Sequence, residues 1–545
     1  MLIIAFFEII HFLGIFGLGA FYNTLLRRLN FKLSSPIQLY WFGFFLLVLH
    51  LHFISLFFSL TQKVYLIYLL SFIGILFNLK KIRFGLPRVS STMILFFLIL
   101  ISHSYINQDV TLLDSYGYHA NMVKWNHDFG VVNGITLLET RFGFNSSFWL
   151  LTAFFDNFYL ENRSVYFGNI FIFTSVTVTL LPSLTLKRNY VLGLFSLMGI
   201  FFLSLRMDLG EINSFSSDFP MQSLVWVSIY FLIRSDKRSH FLFFLLSVVS
   251  FSFKISGAFF VGFSFLFLIY KYYKKYLSLI LVFSLGFIYI LGFVMRNILI
   301  SGSLIFPVAL LNLNLPWSLA NSSLVNLTDV INAWARAPGE LFYRSLDLTF
   351  LEWIVPWAKG QIYNLEFYFS IIIMFFLPFI LVFRFEKLFR ERITLIILGA
   401  SISILLMFLK GPDYRFFAVF YWLLMFYLLN STIQIFSLSY QKLTIILFLL
   451  CISILVYQGL PAKIVKNLKE STSSVFFVRT MDSLPVERFQ YDCKNGNSFI
   501  YYSPTKMECG NSMLPCVSKY TDMSSIDMIA CPEISKGFKL KKELN

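Results

Sequence analysis

The chain has 545 residues, of which 58% are hydrophobic and 13% charged, with a formal net charge of +16. A soluble chain of this length would carry about 25% charged residues, so the composition excludes an ordinary water-soluble enzyme and predicts an all-α polytopic membrane protein. The positive excess does not point to nucleic acid, because Lys and Arg gather in short loops between apolar runs, where they act as topology determinants.

A membrane-crossing helix needs about 17–25 apolar residues. Candidate runs lie near 1–25, 37–60, 64–79, 92–107, 164–186, 190–206, 219–233, 240–253, 255–270, 277–296, 366–384, 393–409, 416–436 and 443–460, which predicts a bundle of about 13–14 transmembrane helices. The first run has no basic leader and no small-residue cleavage site, so it is expected to remain as a helix. Basic clusters at Arg27, Arg28 and Lys32, at Lys80–Arg88, at Lys187 and Arg188, at Arg234–Arg238, at Lys271–Lys275 and at Arg384–Arg392 then fall on one side, which the positive-inside rule makes cytoplasmic. Clusters on both flanks of 240–270 require that run to cross twice, with Lys254 at the hairpin tip.

This topology divides the chain into N-terminal helices (1–107), a first large outer loop (108–163), a helical bundle (164–460) with a second outer loop at 297–365, and an extracytoplasmic C-terminal segment (461–545). In the first loop, Tyr118, Met122, Trp125 and Phe129 recur at helical spacing. They predict a helix lying in the membrane interface, aromatic side down. Asp114 precedes it, either as a helix N-cap or as a general base or cation ligand at the membrane surface. His119 and Lys124 are either solvated or part of the same site. Arg141 either forms a weak surface pair with Glu139 or binds a phosphate.

Further along, Asp208, Glu211 and Asp218 share the 207–218 turn, and Asp218 before Phe219-Pro220 reads as a helix N-cap or as a second acid facing Asp114. Lys254 either snorkels or holds an anionic head group. Arg296-Asn297 and the turn Lys410-Gly-Pro-Asp413-Tyr-Arg415 put further cations on the outer side, against the charge bias. One outward cavity in which Lys254, Arg296, Lys410 and Arg415 share an anion such as a lipid phosphate accounts for all four. Trp317, Trp334, Trp353 and Trp357 in the second loop suit an interfacial belt or stacking against sugar rings.

Cys451 lies in an apolar run and is expected to be a packed thiol. Cys493, Cys509, Cys516 and Cys531 stand in the one long polar segment without paired CxxC spacing, which points to disulfides and an oxidising compartment. Four cysteines allow three pairings, which stay open. No Walker, dinucleotide-binding, HExxH or GxSxG motif occurs.

Several stretches together resemble the GT-C membrane glycosyltransferases, and more narrowly an uncharacterised family of bacterial polytopic proteins assigned to that group. They are Asp114-Ser-Tyr-Gly-Tyr-His119, Lys124-Trp125, Gly130-Val-Val-Asn-Gly134, Arg141-Phe-Gly-Phe-Asn145, Ser217-Asp218-Phe-Pro220, Lys254-Ile-Ser256, Arg296-Asn297, Phe306-Pro307 and Asp413-Tyr-Arg415, across roughly 109–420. Two departures stand out: the acidic loop follows the fourth predicted helix rather than the first, and its acid is a single Asp with no acidic neighbour. The resemblance implies transfer of a sugar from a polyprenyl-phosphate-linked donor to a glycan or lipid acceptor on the outer face of a bacterial inner membrane. It implies Asp114 and His119 as catalytic groups, and Lys124, Arg141, Asp218, Lys254, Arg296, Asn297, Asp413 and Arg415 as substrate or phosphate ligands. It supplies no organic cofactor and no metal ligands, and leaves a divalent cation open. A flippase of lipid-linked sugars, or an O-antigen-type polymerase, is the alternative from another class.

Overall fold

A computed structural model describes residues 2–27, 32–61, 65–78, 109–110, 112–157, 160, 163–184, 190–206, 211–234, 236–336, 344–362, 364–388, 392–435, 466, 486–493, 496–502, 512–517, 526–529 and 533–540. The helices in chain order are α1 (Leu2–Leu26), α2 (Pro36–Phe57), α3 (Tyr65–Asn78), α4 (Ala120–Asp128), α5 (Ser147–Phe155), α6 (Gly168–Leu184), α7 (Tyr190–Arg206), α8 (Asp218–Ile233), α9 (Lys237–Phe253), α10 (Ala258–Tyr272), α11 (Tyr276–Ser301), α12 (Asn321–Arg336), α13 (Phe350–Gln361), α14 (Leu365–Leu388), α15 (Arg392–Lys410) and α16 (Tyr414–Ile435). Strands β1 (Glu487–Cys493) and β2 (Gly496–Tyr502) pair antiparallel, and β3 (Cys516–Val517) joins β2 in parallel. Strands β4 (Ile526–Met528) and β5 (Phe538–Leu540) form a separate antiparallel pair. The C-terminal segment is therefore β-structured, where the sequence predicts an all-α chain with a small disulfide-containing tail; runs such as Phe499-Ile500-Tyr501 favour a strand over a helix.

Among the described residues, six helical segments are long and apolar enough to cross a membrane: Ile4–Leu26, Pro36–Phe57, Ser164–Leu184, Ile255–Tyr272, Tyr276–Ser301 and Tyr414–Ile435. A seventh results if α13 and the start of α14, bent by 120° across a short break, count as one span. The chain is thus a multi-pass helical integral membrane protein. The expected count of 13–14 is not reached among the described residues. The runs at 64–79, 190–206 and 219–233 form shorter apolar helices, and those at 92–107 and 443–460 lie outside the described residues. Polar side chains set several of these limits: Arg206 closes α7, Asp218 opens α8, and Lys254 separates α9 from α10. The run 240–270 is therefore two helices with Lys254 at the break, as the charge pattern required.

Helix α1 packs on both α2 and α3, α2 also contacts α9 and α11, and α8 packs on α9. The α1–α2 contact is close enough to depend on glycine: a Cβ on Gly43 would stand 1.8 Å from the Ile15 carbonyl oxygen, and one on Gly19 would stand 1.9 Å from that of Leu39. Small residues that let helix backbones approach are the usual basis of helix association in lipid. Aromatic contacts fill the rest of the core; Trp226, for example, stacks between Phe195 and Phe202.

The loops sort to two ends of the bundle. At one end Arg238 donates to Ser34 (3.0 Å), Gln38 to Asp236 (3.0 Å) and Lys237 to Ser278 (2.9 Å), so the basic segments near 27–38, 234–238 and 271–278 meet there. At the other end the 211–218 turn, the Lys254 break, the 411–415 turn and the first large loop converge. The first loop does not form an amphipathic surface helix. Its aromatic side, with Met122 and Trp125, is buried, and so are Asn121 and Asn126 on other sides of α4. The loop packs into the protein because α5, α11 and the C-terminal segment cover it. The Phe538 amide donates to the Asn133 carbonyl (2.8 Å), and the Leu540 amide to that of Pro316 (3.0 Å).

Candidate functional site

The segment before α4 is a π-helix, Ser115–His119. A π turn is rare and arises mostly as a local bulge at functional sites. Here it projects Tyr118 and His119 inward and leaves Asp114 exposed at its start. Asp114 has helical backbone angles, and its side chain accepts no capping hydrogen bond, so helix capping does not explain this residue. Ser115 ties the π turn to the 211–218 turn by accepting from the Phe215 amide (3.1 Å), and Trp149 fixes the same turn by donating to the Phe215 carbonyl (2.8 Å).

Arg141 stands over this turn. Its guanidinium carbon lies 5.0 Å from the Tyr118 ring centre, and its Nη1 is 3.5 Å from where a Cβ on Gly117 would stand. Glu139 holds it through Nε–Oε1 at 3.0 Å. Burial disfavours the Arg141 charge, but Glu139, Tyr118 and Asp114 together offset it and raise its pKa. Tyr118 is pushed up, first by burial and then by Asp114.

Asp218 is the centre of the arrangement. It lies in the first turn of α8, beyond the N-cap Ser217, so it is not itself the cap that its position before Pro220 suggested. It forms an ion pair with Lys254, whose ammonium also lies 4.2 Å from the Phe416 ring centre. Lys254 therefore points into the protein and does not snorkel. Arg415 acts electrostatically on the same carboxylate and binds Asp413 through Nε (2.9 Å) and Nη2 (2.8 Å). The Arg415 carbonyl accepts from Gln222 (2.6 Å), which locks the 411–415 turn to α8. Arg206 and Glu211 form a buried ion pair beside Asp218; burial, more than Asp218, pushes the Glu211 carboxyl up.

His119 completes the site. Burial pushes its pKa down to about 4, helped by Lys254 and Arg141 and opposed by Asp114 and Asp218. The ring is neutral at pH 7, packs 4.9 Å from Trp149, and has a buried Nδ1 with no partner. Asp114, His119, Arg141, Asp218, Lys254, Asp413 and Arg415 thus come together from five separate segments. Among the described residues no group of three His, Cys, Asp or Glu side chains is placed to hold a metal ion.

Three expected ligands stand elsewhere. The Lys124 ammonium donates to the Ser512 carbonyl (2.8 Å) and so clasps the C-terminal segment; burial lowers its pKa. Arg296 is 1% exposed and donates to Ser55 (2.5 Å), Asn126 (2.7 Å) and Asn145 (3.1 Å), an all-neutral cage in the helix core. Lys254 and Arg415 therefore meet at Asp218 without Arg296. Asn297 is buried next to it, with its amide on the Phe293 carbonyl (3.4 Å). The Lys410 side chain, Asp208, Cys451, Cys509 and Cys531 lie outside the described residues, while Cys493 closes β1 and Cys516 is disulfide-bonded. Arg206 and Glu139 join the basin without a ligand role in the sequence pattern. Arg206 carries the signal that flagged Lys254: a cation at the helix end away from the basic loops.

The fold and this charged basin define a multi-pass membrane protein with a polar site at one end of its bundle. The chain belongs to the family described as domain of unknown function DUF8201, whose model matches residues 1–422. That span contains every residue of the basin and stops short of the C-terminal strands. No curated protein and no solved structure matches the chain.

Proposed function

We propose that the chain is a membrane glycosyltransferase that moves a sugar from a polyprenyl-phosphate-linked donor to a hydroxyl of a glycan or lipid acceptor at the face of the bundle carrying the basin. The observation that carries this reading is the convergence of an exposed, uncapped acid (Asp114) with a buried neutral imidazole (His119) and three cations (Arg141, Lys254 and Arg415). In the reaction the acceptor oxygen attacks the anomeric carbon while Asp114 takes its proton. The bond from that carbon to the phosphate oxygen breaks, and the phosphate leaves with the electron pair. Lys254 and Arg415, held in place by Asp218 and Asp413, offer their remaining N–H donors to the departing phosphate, and preorganised charge of this kind favours the transition state. His119, neutral at working pH, orients a hydroxyl or phosphate oxygen through a ring nitrogen.

The test uses the full chain in liposomes with a panel of polyprenyl-phosphate sugars, and follows release of polyprenyl phosphate. Asp114→Asn is expected to lower the rate by about 100-fold or more. Equal rates in wild type and variant, or movement of the lipid-linked sugar across the bilayer with no phosphate released, would sink the proposal; the second result would establish a carrier.

A further inference from the structure

We infer that α13 lies in the lipid surface and anchors the Asp413–Arg415 turn to it. The helix has two opposed apolar sides. On one, Trp353 and Trp357 are buried, at 6% and 7% exposure. On the other, Leu351 (74% exposed) and Val355 (53%) continue past the last turn to the exposed Ile362. Residues at i, i+4 and i+11 share one helical face, and that face is opposite the tryptophans. A 12-residue helix is too short to cross the bilayer. An isolated apolar stripe facing water is unfavourable, whereas one facing the head-group boundary is the ordinary state of an in-plane helix.

The occupant follows from continuity. Only a short break separates α13 from the apolar α14, whose Met374, Phe375 and Phe376 are also exposed. The chain turns by 120° across that break, so if α14 enters the hydrocarbon, α13 leaves along the surface. A capping box from Thr349 and Glu352 holds the start of α13, and Arg336 lies 5.0 Å over Trp353 from behind. The inner side then reaches the basin: Trp357 donates to the Pro412 carbonyl (2.5 Å) and stacks on Tyr414 at 5.6 Å. Pro412 and Tyr414 flank Asp413, which holds Arg415. The lipid surface, through α13, thereby sets the depth of one arm of the basin.

The test places the photo-crosslinker p-benzoylphenylalanine at Leu351, Val355 or Gly360 of the full chain in phosphatidylcholine vesicles, and detects lipid adducts by mass spectrometry. Gly360 is the control, because it is exposed on another face and a side chain there meets nothing within 4 Å. Adduct yield at Leu351 and Val355 is expected to exceed that at Gly360 several-fold. No lipid adduct at the two stripe positions, equal yield at all three, or a crosslink to a second polypeptide at the stripe overturns the inference. None of these outcomes depends on sugar transfer, so it can fail while the proposed reaction stands.

Discussion

Asp114 and His119 are neighbours in the chain with opposite surroundings, and that difference makes their roles separable. Asp114 is exposed and caps nothing. A capping Asp replaced by a residue unable to cap costs about 1 kcal/mol, whereas an exposed side chain without such a bond changes stability by less than about 0.5 kcal/mol. Asp114→Ala is therefore expected to melt with the wild type in detergent while losing sugar transfer; a clear drop in melting temperature would return Asp114 to a structural role. His119 has a pH signature. The unfolded chain protonates its imidazole near pH 6.5, and the folded chain does so only near about 4. Between these values the unfolded state binds the proton and the folded state does not. The contribution of His119 is thus complete above about pH 6.5, falls as the pH drops through this window, and levels off below about 4, for a loss of about 3 kcal/mol. His119→Gln is expected to flatten this part of the stability profile between pH 7 and 4.5; identical profiles for wild type and variant would show that the ring titrates normally.

At the scale of elements, the turn after α4 depends on how closely the C-terminal strand approaches. Gly134 has φ +65°, and a Cβ there would stand 2.3 Å from the Phe538 carbonyl oxygen. Gly134→Ala therefore meets a left-handed backbone and a steric clash together, at a cost on the order of 1–3 kcal/mol. The strain is relieved most cheaply by displacing β5, so proteolysis between 512 and 540 is expected to quicken while α1–α11 stay intact; unchanged cleavage would mean that the strand does not depend on this contact. Elements were legible in the sequence where charge interrupts hydrocarbon. Lys254 marked the α9–α10 break because a cation in an apolar run must find a partner, and the partner was Asp218. The π turn was not legible: Tyr118, Met122, Trp125 and Phe129 have an ordinary helical spacing, and only the tertiary bonds from Ser115 and Trp149 show where the helix is bulged. The surface helix expected there is buried because α5 packs on it and the C-terminal segment, which hydropathy does not reveal, returns to hold it at Lys124 and Asn133.

At the scale of the whole molecule, the instructive pair is Arg296 and Arg415. In sequence both are cations at helix ends, on the side where the charge bias disfavours them, and that pattern alone assigns both to one anion. Folding separates them because the partners differ. Arg415 has Asp413 and Asp218 nearby and a side chain 39% exposed. Arg296 has only neutral oxygens from Ser55, Asn126 and Asn145, which come from α2, α4 and the loop before α5 and hold those parts against α11. A neutral cage around a fully buried guanidinium joins parts far apart in the chain, and no local pattern encodes it. The two residues should therefore fail differently. Arg296→Leu strands three buried acceptors and unties the first loop from the bundle, so a loss on the order of 3 kcal/mol or more is expected, read as a lower melting temperature and a lower yield of folded protein. Arg415→Leu removes a partly exposed pair worth about 1 kcal/mol at most, so the protein should stay folded while polyprenyl-phosphate release drops steeply. If Arg296→Leu folded normally and lost only turnover, Arg296 would belong to the basin after all, and the helices around it would have to open towards the substrate.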